Sequence, residues 1–278
     1  QKEIILTASI GLVTWVDEMA SPLELVKDAE LAMYQAKRVG GNRIEPYRPA
    51  FRSAGADKLQ IESDLRRALE RKELTMVYQP IVDIECAEIG GFEALLRWEH
   101  PRKGNIPPSE FVPIAESSDL IVELGMYALQ NACEDLASWY KSVGQIPVFM
   151  SVNLSSAQLL RNDLYNDIRS VLTKTGCKPP MLKLELTESV VMHNPEQAAR
   201  ILARLKDLGV QLAIDDFGTG HSSLSYLTRF PFDTIKIDKS LVRATSNKQL
   251  VLLRSIIAMG RDLEMNIVAE GVETEEDA

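Results

Sequence analysis

Short apolar segments alternate with amphipathic stretches from about residue 74 to the end of the chain. Seven of the apolar segments are predicted to be strands: TMVYQPIVD, IGGFEALLRW, PVFMSVNLS, LKLELTES, QLAIDDFG, TIKIDKSL and MNIVAEGV. Helices are predicted between several of them. The clearest is NPEQAARILARLKDLG, where Asn194 is the N-cap, Pro195 lies in the first turn and Gly209 ends the helix.

This alternation of strands and helices favours an α/β fold built from parallel βα units. About seven strands in about 200 residues point to a (β/α) barrel rather than an open nucleotide-binding sheet. The dinucleotide-binding alternative is weakened further because no GxGxxG motif follows a predicted strand. With 278 residues, of which 45% are hydrophobic, the chain is long enough to bury a large core.

The first fifty residues have a different pattern, in which EIILTASIGLV predicts a strand and a helix follows. Ser21 is the predicted N-cap of this helix, Pro22 occupies its first position and two consecutive glycines end it. Residues 1–50 would bury too small a core to fold alone, so we expect them to be the C-terminal part of a longer domain. Residues 51–72 predict a linker that becomes a helix, and residues 73–278 form the (β/α) domain.

The composition narrows the class of protein. A net charge of −9 argues against broad binding of DNA or RNA through their phosphates. Three scattered cysteines, Cys86, Cys133 and Cys177, predict neither a disulfide framework nor a zinc site and fit a reducing compartment. The sequence shows neither an apolar run long enough to cross a bilayer nor a signal-peptide pattern, so we expect a cytoplasmic domain.

Polar side chains interrupt six of the predicted strands. A strand buried on both faces of a parallel sheet should be an almost unbroken apolar run, so these residues need an explanation. They are Glu93, inside its strand, and Asn153, Glu185, Asp215, Lys236 and Glu270 at strand ends. Strand alternation puts Lys236 on the face opposite Ile235 and Ile237. Because (β/α) barrels build their active sites from the C-terminal ends of several strands, we predict that these side chains form one site.

Carboxylates that converge on one rim would repel each other and raise one another's pKa. Divalent cations resolve this conflict, and oxygen ligands without cysteine or histidine select Mg²⁺ or Mn²⁺ over Zn²⁺. The set is large enough for two ions, and a metal pair about 3.5–4 Å apart is a recurrent arrangement for phosphoester hydrolysis. Lys236 would then lie near the nucleophile or a phosphate oxygen. The residues therefore predict a metal-dependent phosphodiesterase and leave its substrate open.

The adjacent Asp215 and Asp216 raise a question of geometry, because neighbouring residues of a strand point to opposite faces. Both side chains can serve one site if the chain leaves the sheet at this point and Gly218 lets it turn. The plainer alternative is a solvated turn. Acids on the other strand ends favour the functional interpretation.

Two of the other site residues also have structural alternatives. Lys236 could be a core lysine whose amine reaches solvent. Glu93 could pair with Arg97, but four residues of strand separate the two by roughly 13 Å, which favours separate roles.

Seven motifs, taken in order, resemble those of the EAL family of cyclic di-GMP phosphodiesterases: YQPIVD, GFEALLRWEHP, SVNLS, LELTES, AIDDFGTGHSSL, TIKIDKSL and AEGVE. The resemblance implies a TIM-like (β/α) barrel with a reversed first strand. It also implies hydrolysis of cyclic di-GMP to linear pGpG with two Mg²⁺ or Mn²⁺ ions, and a homodimer formed through the loop after the aspartate pair. Calcium, a larger ion with looser coordination geometry, is expected to inhibit.

The resemblance further implies a role for each site residue. Lys236 positions or activates the attacking water, and Glu188 anchors the DFGTGHSSL loop. Gln79 and Arg97 contact the dinucleotide, Arg97 at a phosphate, and Glu273 helps to complete the site beside the metals and the substrate. The implied metal ligands are Glu93, Asn153, Glu185, Asp215, Asp216 and Glu270. Three of them, Glu93, Asp215 and Asp216, are also expected to be catalytic, together with Lys236 and Glu188.

The first fifty residues resemble the C-terminal end of a GGDEF, or diguanylate cyclase-like, domain through TASIGLV and DAELAMYQAKRVGGNRI. Members of that family often carry AKxxGRN, whose arginine contacts nucleotide phosphates. Here Gly41 stands in place of the arginine while Lys37 is retained, so we expect no cyclase activity from this chain. A complete GGDEF domain in a longer parent would be able to bind GTP and regulate hydrolysis. The resemblance also implies a C-terminally truncated EAL domain, because the family's last strand and a glutamine-containing motif would follow Ala278.

Two functions of different classes compete. The first is an active hydrolase, and the second is a catalytically silent receptor that binds cyclic di-GMP and signals through its shape. Silent relatives typically lose the EAL glutamate or other metal carboxylates, whereas this chain keeps Glu93 and its partners, which favours hydrolysis. An unrelated two-metal barrel hydrolase is disfavoured by the ordered motif set.

Overall fold

A computed structural model describes residues 7–14, 22–38, 41–144, 148–218, 229–243 and 246–274. The chain divides into two compact units, residues 1–67 and residues 68–278. The domain boundaries predicted from the sequence stay predictions.

The first unit contains a small parallel sheet and a helix that lies against it. Strand β1 pairs with β2, and the backbone of β1 packs so closely on α1 that a Cβ on Gly11 would lie 1.9 Å from the carbonyl oxygen of Ala29. The helix predicted after Pro22 is present, while its predicted N-cap, Ser21, lies outside the described residues. The segment expected to be a linker, residues 51–72, is helical from its first residue, because the helix begins at Ala50 and continues to Arg71, past the end of this unit at residue 67. The elements are β1 (Ile10–Leu12), α1 (Pro22–Arg38), β2 (Ile44–Pro46) and α2 (Ala50–Arg71).

The second unit is built on an eight-stranded sheet. All seven strands predicted for this unit are present, and the one strand among its described residues that the pattern missed is Gly104–Ile106, which is too short to show a period. The order along the sheet is β10-β9-β8-β7-β6-β4-β3, with β5 paired to β4. The strands are β3 (Leu74–Asp83), β4 (Glu88–His100), β5 (Gly104–Ile106), β6 (Phe149–Asn153), β7 (Leu182–Thr187), β8 (Gln211–Phe217), β9 (Thr234–Ile237) and β10 (Asn266–Ala269).

The first long strand runs against the others. β3 is antiparallel to β4, whereas each later pair from β4 to β10 along the sheet is parallel. This is the reversed first strand that the resemblance implied. Because the carboxyl ends of the parallel strands meet at one edge, the residues at those ends are brought together.

Helices connect β4 to β6, β6 to β7, β7 to β8 and β9 to β10, as the alternating pattern predicted, while most of the chain between β8 and β9 lies outside the described residues. The helix after Asn194 shows the expected signals: the Asn194 side chain accepts a hydrogen bond from the Gln197 backbone N–H, Pro195 is the first residue, and Gly209 follows with φ +84°. The helices of this unit are α3 (Pro108–Ser117), α4 (Leu120–Val143), α5 (Ser156–Leu159), α6 (Leu164–Thr175), α7 (Glu188–His193), α8 (Pro195–Asp207), α9 (Lys239–Val242) and α10 (Asn247–Asp262), with a 3₁₀ turn at Pro179–Met181.

The sheet curls, and its central strands β7, β8 and β9 are almost completely buried on both faces. In β7, Leu182, Leu184 and Leu186 join the main apolar core, while Lys183 and Glu185 on the opposite face are also almost completely buried. The enclosed face therefore carries polar side chains that the sequence placed there by alternation. Within the described part of the chain, no helix is both long and apolar enough to cross a membrane.

Candidate active site

Lys236 stands at the centre of a cluster of carboxylates. It lies in β9, every residue of which is buried, and its side chain is only 2% exposed. Its Nζ lies 2.6 Å from Glu185 Oε2, 2.7 Å from Glu270 Oε1, 3.2 Å from Glu93 Oε2 and 3.3 Å from Asp215 Oδ1. The amine therefore does not reach solvent, and the alternative of a solvent-seeking core lysine is wrong.

The electrostatics of this cluster are dominated by burial. Burial raises the pKa of Glu185 to about 7, against the opposing effect of Lys236, and the carboxylates of Glu93 and Asp215 raise it further. Burial alone lowers the pKa of Lys236, but the surrounding carboxylates outweigh it, so the pKa lies above its ordinary value. One ammonium cannot offset four carboxylates, so the cluster keeps an excess of negative charge when these are ionised.

Asn153 and Glu93 are joined directly. The Asn153 side-chain amide donates from Nδ2 to Glu93 Oε1 at 2.9 Å, and Asn153 lies beside Glu185 in the register of β6 with β7. Asn153 thus lies on the strand between those of Glu93 and Glu185 and is hydrogen-bonded to the first of them. Its carbonyl oxygen is the kind of neutral ligand that a hard cation accepts beside carboxylates.

The two adjacent aspartates reach the site through a β-bulge. In the pairing of β8 with β9, Ile214 faces Ile235 and Phe217 faces Ile237, so two residues of β8 oppose one residue of β9. Asp216 has φ +54°, a left-handed conformation that aspartate tolerates better than most residues. Its backbone N–H donates to Asp215 Oδ1 at 2.9 Å.

The bulge corrects the expectation that the chain leaves the sheet at the aspartate pair. β8 continues to Phe217, and Gly218, with φ +95°, comes after the strand rather than turning it at Asp216. The physical reason is that one extra residue in a strand changes the direction of the next side chain without ending the pairing. The Asp215 and Asp216 carboxylates therefore lie at the same edge of the sheet, although β8 is still paired with β9 at Phe217.

The residues of the cluster fit a divalent cation. One carboxylate oxygen from each of Asp215, Asp216 and Glu270 lies within 4.8 Å of the others. The buried Glu185 Oε1 has no hydrogen-bond partner among the described residues, which leaves a carboxyl oxygen available to a ligand. Burial also raises the pKa of Asp216, and the neighbouring Asp215 raises it further. A hard cation with oxygen ligands would satisfy this orphaned atom and the excess negative charge together.

The residues predicted to contact the substrate lie around this cluster in the sheet. Gln79 on β3 is exposed and faces Glu93 in the β3–β4 register. Arg97 lies further along β4, and its Nη1 donates to the carbonyl of Leu96 at 2.9 Å. In the described ranges no ion pair joins Arg97 to Glu93, in keeping with separate roles.

The remaining two predicted residues lie at the edge of the site. Glu188 opens α7 and is 5% exposed, but the loop that it is expected to anchor, residues 219–228, lies outside the described residues. Glu273 does not join the cluster around Lys236: its Oε1 lies 2.9 Å from Arg243 Nη2. Sequence reasoning missed Arg243, because no motif or period singles it out.

Comparison with known proteins adds to this geometry. The EAL domain family model matches residues 62–278. The cyclic di-GMP phosphodiesterase NbdA of Pseudomonas aeruginosa is 37% identical over 275 residues, which cover 98% of this chain and 35% of that protein. The bifunctional diguanylate cyclase/cyclic di-GMP phosphodiesterase MucR of the same organism is 39% identical over 275 residues, covering 98% of this chain and 40% of MucR. The chain therefore spans little more than a third of the length of these relatives.

A solved structure shows the same architecture. The MucR phosphodiesterase in complex with cyclic di-GMP superposes with a TM-score of 0.75 and 42% identity, covering 78% of this chain and 89% of that one. The α/β fold with its curled sheet thus matches that of a TIM-like EAL barrel. Since the family match, the relatives and the fold agree, this chain with its carboxylates gathered around Lys236 belongs to the EAL domain family.

Proposed function

We propose that the chain is a metal-dependent phosphodiesterase that hydrolyses cyclic di-GMP to linear pGpG. The observation that carries this proposal is the convergence on the buried Lys236 of four carboxylates, from β4, β7, β8 and the residue that follows β10, together with a Glu185 oxygen that has no hydrogen-bond partner among the described residues. The named activities of NbdA and MucR support the choice of substrate. Because the chain keeps every carboxylate that the family motifs require, catalysis is favoured over silent binding.

Two groups of residues would hold the two predicted Mg²⁺ or Mn²⁺ ions. When bound, such ions lower the pKa of water and stabilise the negative charge that develops on the phosphate. The acids of β8 and the acid that follows β10 would form one group, and three residues on the neighbouring strands β4, β6 and β7 the other. The first comprises Asp215, Asp216 and Glu270, and the second Glu93, Asn153 and Glu185.

Hydrolysis adds one water across one phosphodiester of the ring. The water oxygen bonds to phosphorus, the bond from phosphorus to the 3′ oxygen breaks, and a water proton ends on that 3′ oxygen. An ammonium has hydrogen-bond donors only, so we assign Lys236 the task of holding the attacking water or a phosphate oxygen. Gln79 and Arg97 would bind the dinucleotide, with the guanidinium of Arg97 on a phosphate.

For the N-terminal residues we propose the C-terminal remnant of a GGDEF domain. The similarity to MucR supports this, because it covers 98% of the chain and so includes residues before the EAL match begins at residue 62. Regulation by GTP would then need the complete domain of a longer parent. The predicted homodimer and cytoplasmic location also stay proposals.

The test is incubation of the protein with cyclic di-GMP and Mg²⁺ or Mn²⁺, with pGpG followed by chromatography. We expect pGpG to accumulate with either ion and to be suppressed by Ca²⁺. A matched control is Lys206→Met, which changes a partly exposed lysine paired with Asp233 outside the site and should leave turnover unchanged. Tight binding of cyclic di-GMP without any product would refute the enzyme and leave the receptor.

A further inference from the structure

We infer that Arg243 is a positioning residue for Glu270, acting through the backbone that follows β10. The inference rests on the proposed function only in assigning Glu270 to a metal. Its structural basis is a set of contacts that tie the chain after β10 to the chain after β9, the strand that carries Lys236.

Glu270 lies at the point where the sheet ends. Its backbone N–H donates to the carbonyl of Ile237 at 3.0 Å, one residue beyond the final pair of the β10–β9 register, Ala269 with Ile237. Beyond it, Gly271 has φ +71°, so the chain turns away at once. The direction of the Glu270 side chain, whose Oε1 contacts Lys236 Nζ at 2.7 Å, therefore depends on how the next residues are held.

Arg243 holds these residues with two nitrogens of its guanidinium. Its Nε and Nη2 both donate to the carbonyl of Gly271, at 3.0 and 2.7 Å, and Nη2 also lies 2.9 Å from Glu273 Oε1. Arg243 itself is fixed, because it caps the C-terminal end of α9 and its backbone N–H donates to Lys239. The planar fork suits an acceptor approached by two donors at once, which a lysine cannot reproduce.

Gly271 is also held by close packing against α9. A Cβ on Gly271 would lie 2.5 Å from the Cβ of Lys239, so the turn after Glu270 rests directly on the first residue of α9. The positive φ and the lack of space both require glycine here. Arg243 and Gly271 thus fix one short segment against one short helix.

The contact with Glu273 is the weaker part of this arrangement. The Arg243 side chain is 40% exposed and that of Glu273 is 73% exposed, so solvent screens their ion pair. We therefore assign the positioning to the two bonds with the Gly271 carbonyl. In this reading Glu273 supports Arg243 and does not bind a metal.

The test compares Mn²⁺ binding by calorimetry with the Mn²⁺ dependence of cyclic di-GMP hydrolysis. Loss of residues that orient metal ligands typically weakens metal affinity by about 10–100-fold. We expect Arg243→Ala to raise the Mn²⁺ dissociation constant and the half-saturating Mn²⁺ concentration by about tenfold or more, with kcat largely recovered at saturating Mn²⁺. Arg243→Lys should recover only part of the affinity, and Glu273→Gln should stay within about twofold of the native protein.

The controls separate positioning from folding and from the proposed activity. Arg254→Ala removes an exposed arginine on α10 and should leave Mn²⁺ binding unchanged. If Arg243→Ala fails to fold, Arg243→Lys carries the same test. Native Mn²⁺ affinity in a folded Arg243 variant would overturn the inference. If the native protein binds Mn²⁺ but yields no pGpG, the proposed function fails while calorimetry still decides the role of Arg243.

Discussion

Removing the amine of Lys236 should turn the site into an uncompensated cluster of negative charge. In Lys236→Met the side chain keeps its length, but the cation that contacts four carboxylates at 2.6–3.3 Å is gone. The position is 2% exposed, so water cannot replace the ammonium without rearrangement. We therefore expect a large loss of stability without added metal, together with loss of turnover.

The size of this loss follows from the contacts. At about 3 Å and an effective dielectric constant of about 20, each contact has a gross Coulomb energy of about 5 kcal/mol. Most of the sum is cancelled, because the charges must be taken out of water and the carboxylates repel each other. Removing one partner of a buried ion pair costs about 3–5 kcal/mol, which we take as the expected loss. In a unit of this size it corresponds to a fall in Tm of about 6–20 °C.

The assay is thermal or urea unfolding in EDTA and again with Mn²⁺. A cation that binds only the folded state raises the free energy of unfolding by about 2.7 kcal/mol at one hundred times its Kd. We expect Mn²⁺ to raise the free energy of unfolding more in Lys236→Met than in the native protein. Lys206→Met is the matched control, because Lys206 and Asp233 are each about one-third exposed and their pair is worth about 1 kcal/mol or less. If Lys236→Met unfolds in EDTA at the native temperature, the reasoning about the cluster is refuted.

Three further results test other parts of the structure. Glu93→Ala should abolish turnover and lower the Mn²⁺ stoichiometry measured by calorimetry, because a ligand is lost; near-normal hydrolysis would contradict its assigned role. Asp216→Gly should stay within about 1 kcal/mol of native stability, because its φ of +54° suits glycine, yet lose activity; a large fall in Tm would count against the bulge. Cys86 is exposed whereas Cys133 and Cys177 are buried, so a thiol reagent should label one cysteine quickly and all three only after unfolding; rapid labelling of two would argue against this packing.

The sequence predicts most of the sheet because its strands are short, apolar and regularly alternating. The alternation of side chains along a strand is enough to place Lys236 and Glu185 on the enclosed face. The parallel arrangement then brings the carboxyl ends of their strands together. The helix of residues 195–207 was predictable for a similar reason, since its cap, first-turn proline and terminal glycine are local signals. Local chemistry and a short period therefore account for the elements and for the side chains that meet at the site.

What the sequence does not predict depends on contacts between distant residues. The bulge at Asp215 and Asp216 is defined by the register of β8 against β9, and a bulge has the same local composition as a regular strand. The bonds between Arg243 and Gly271 join residues 28 positions apart. The motif predicts that Glu273 helps to complete the site beside the metals and the substrate, whereas the contact of its Oε1 with Arg243 Nη2, at 2.9 Å, has no counterpart in the sequence pattern. Pairing register and long-range hydrogen bonds are tertiary properties that alternation alone cannot supply.

The bulge in β8 also sets how many ligands this edge of the sheet can supply. A regular parallel strand sends one terminal side chain inward, so the number of donors would be limited by the number of strands. The extra residue lets one strand contribute two carboxylates, Asp215 and Asp216, without widening the sheet. Deleting Asp216 would restore a regular ladder and remove a single donor. We therefore expect deletion of Asp216 to lower the number of Mn²⁺ ions bound per chain while the sheet stays intact.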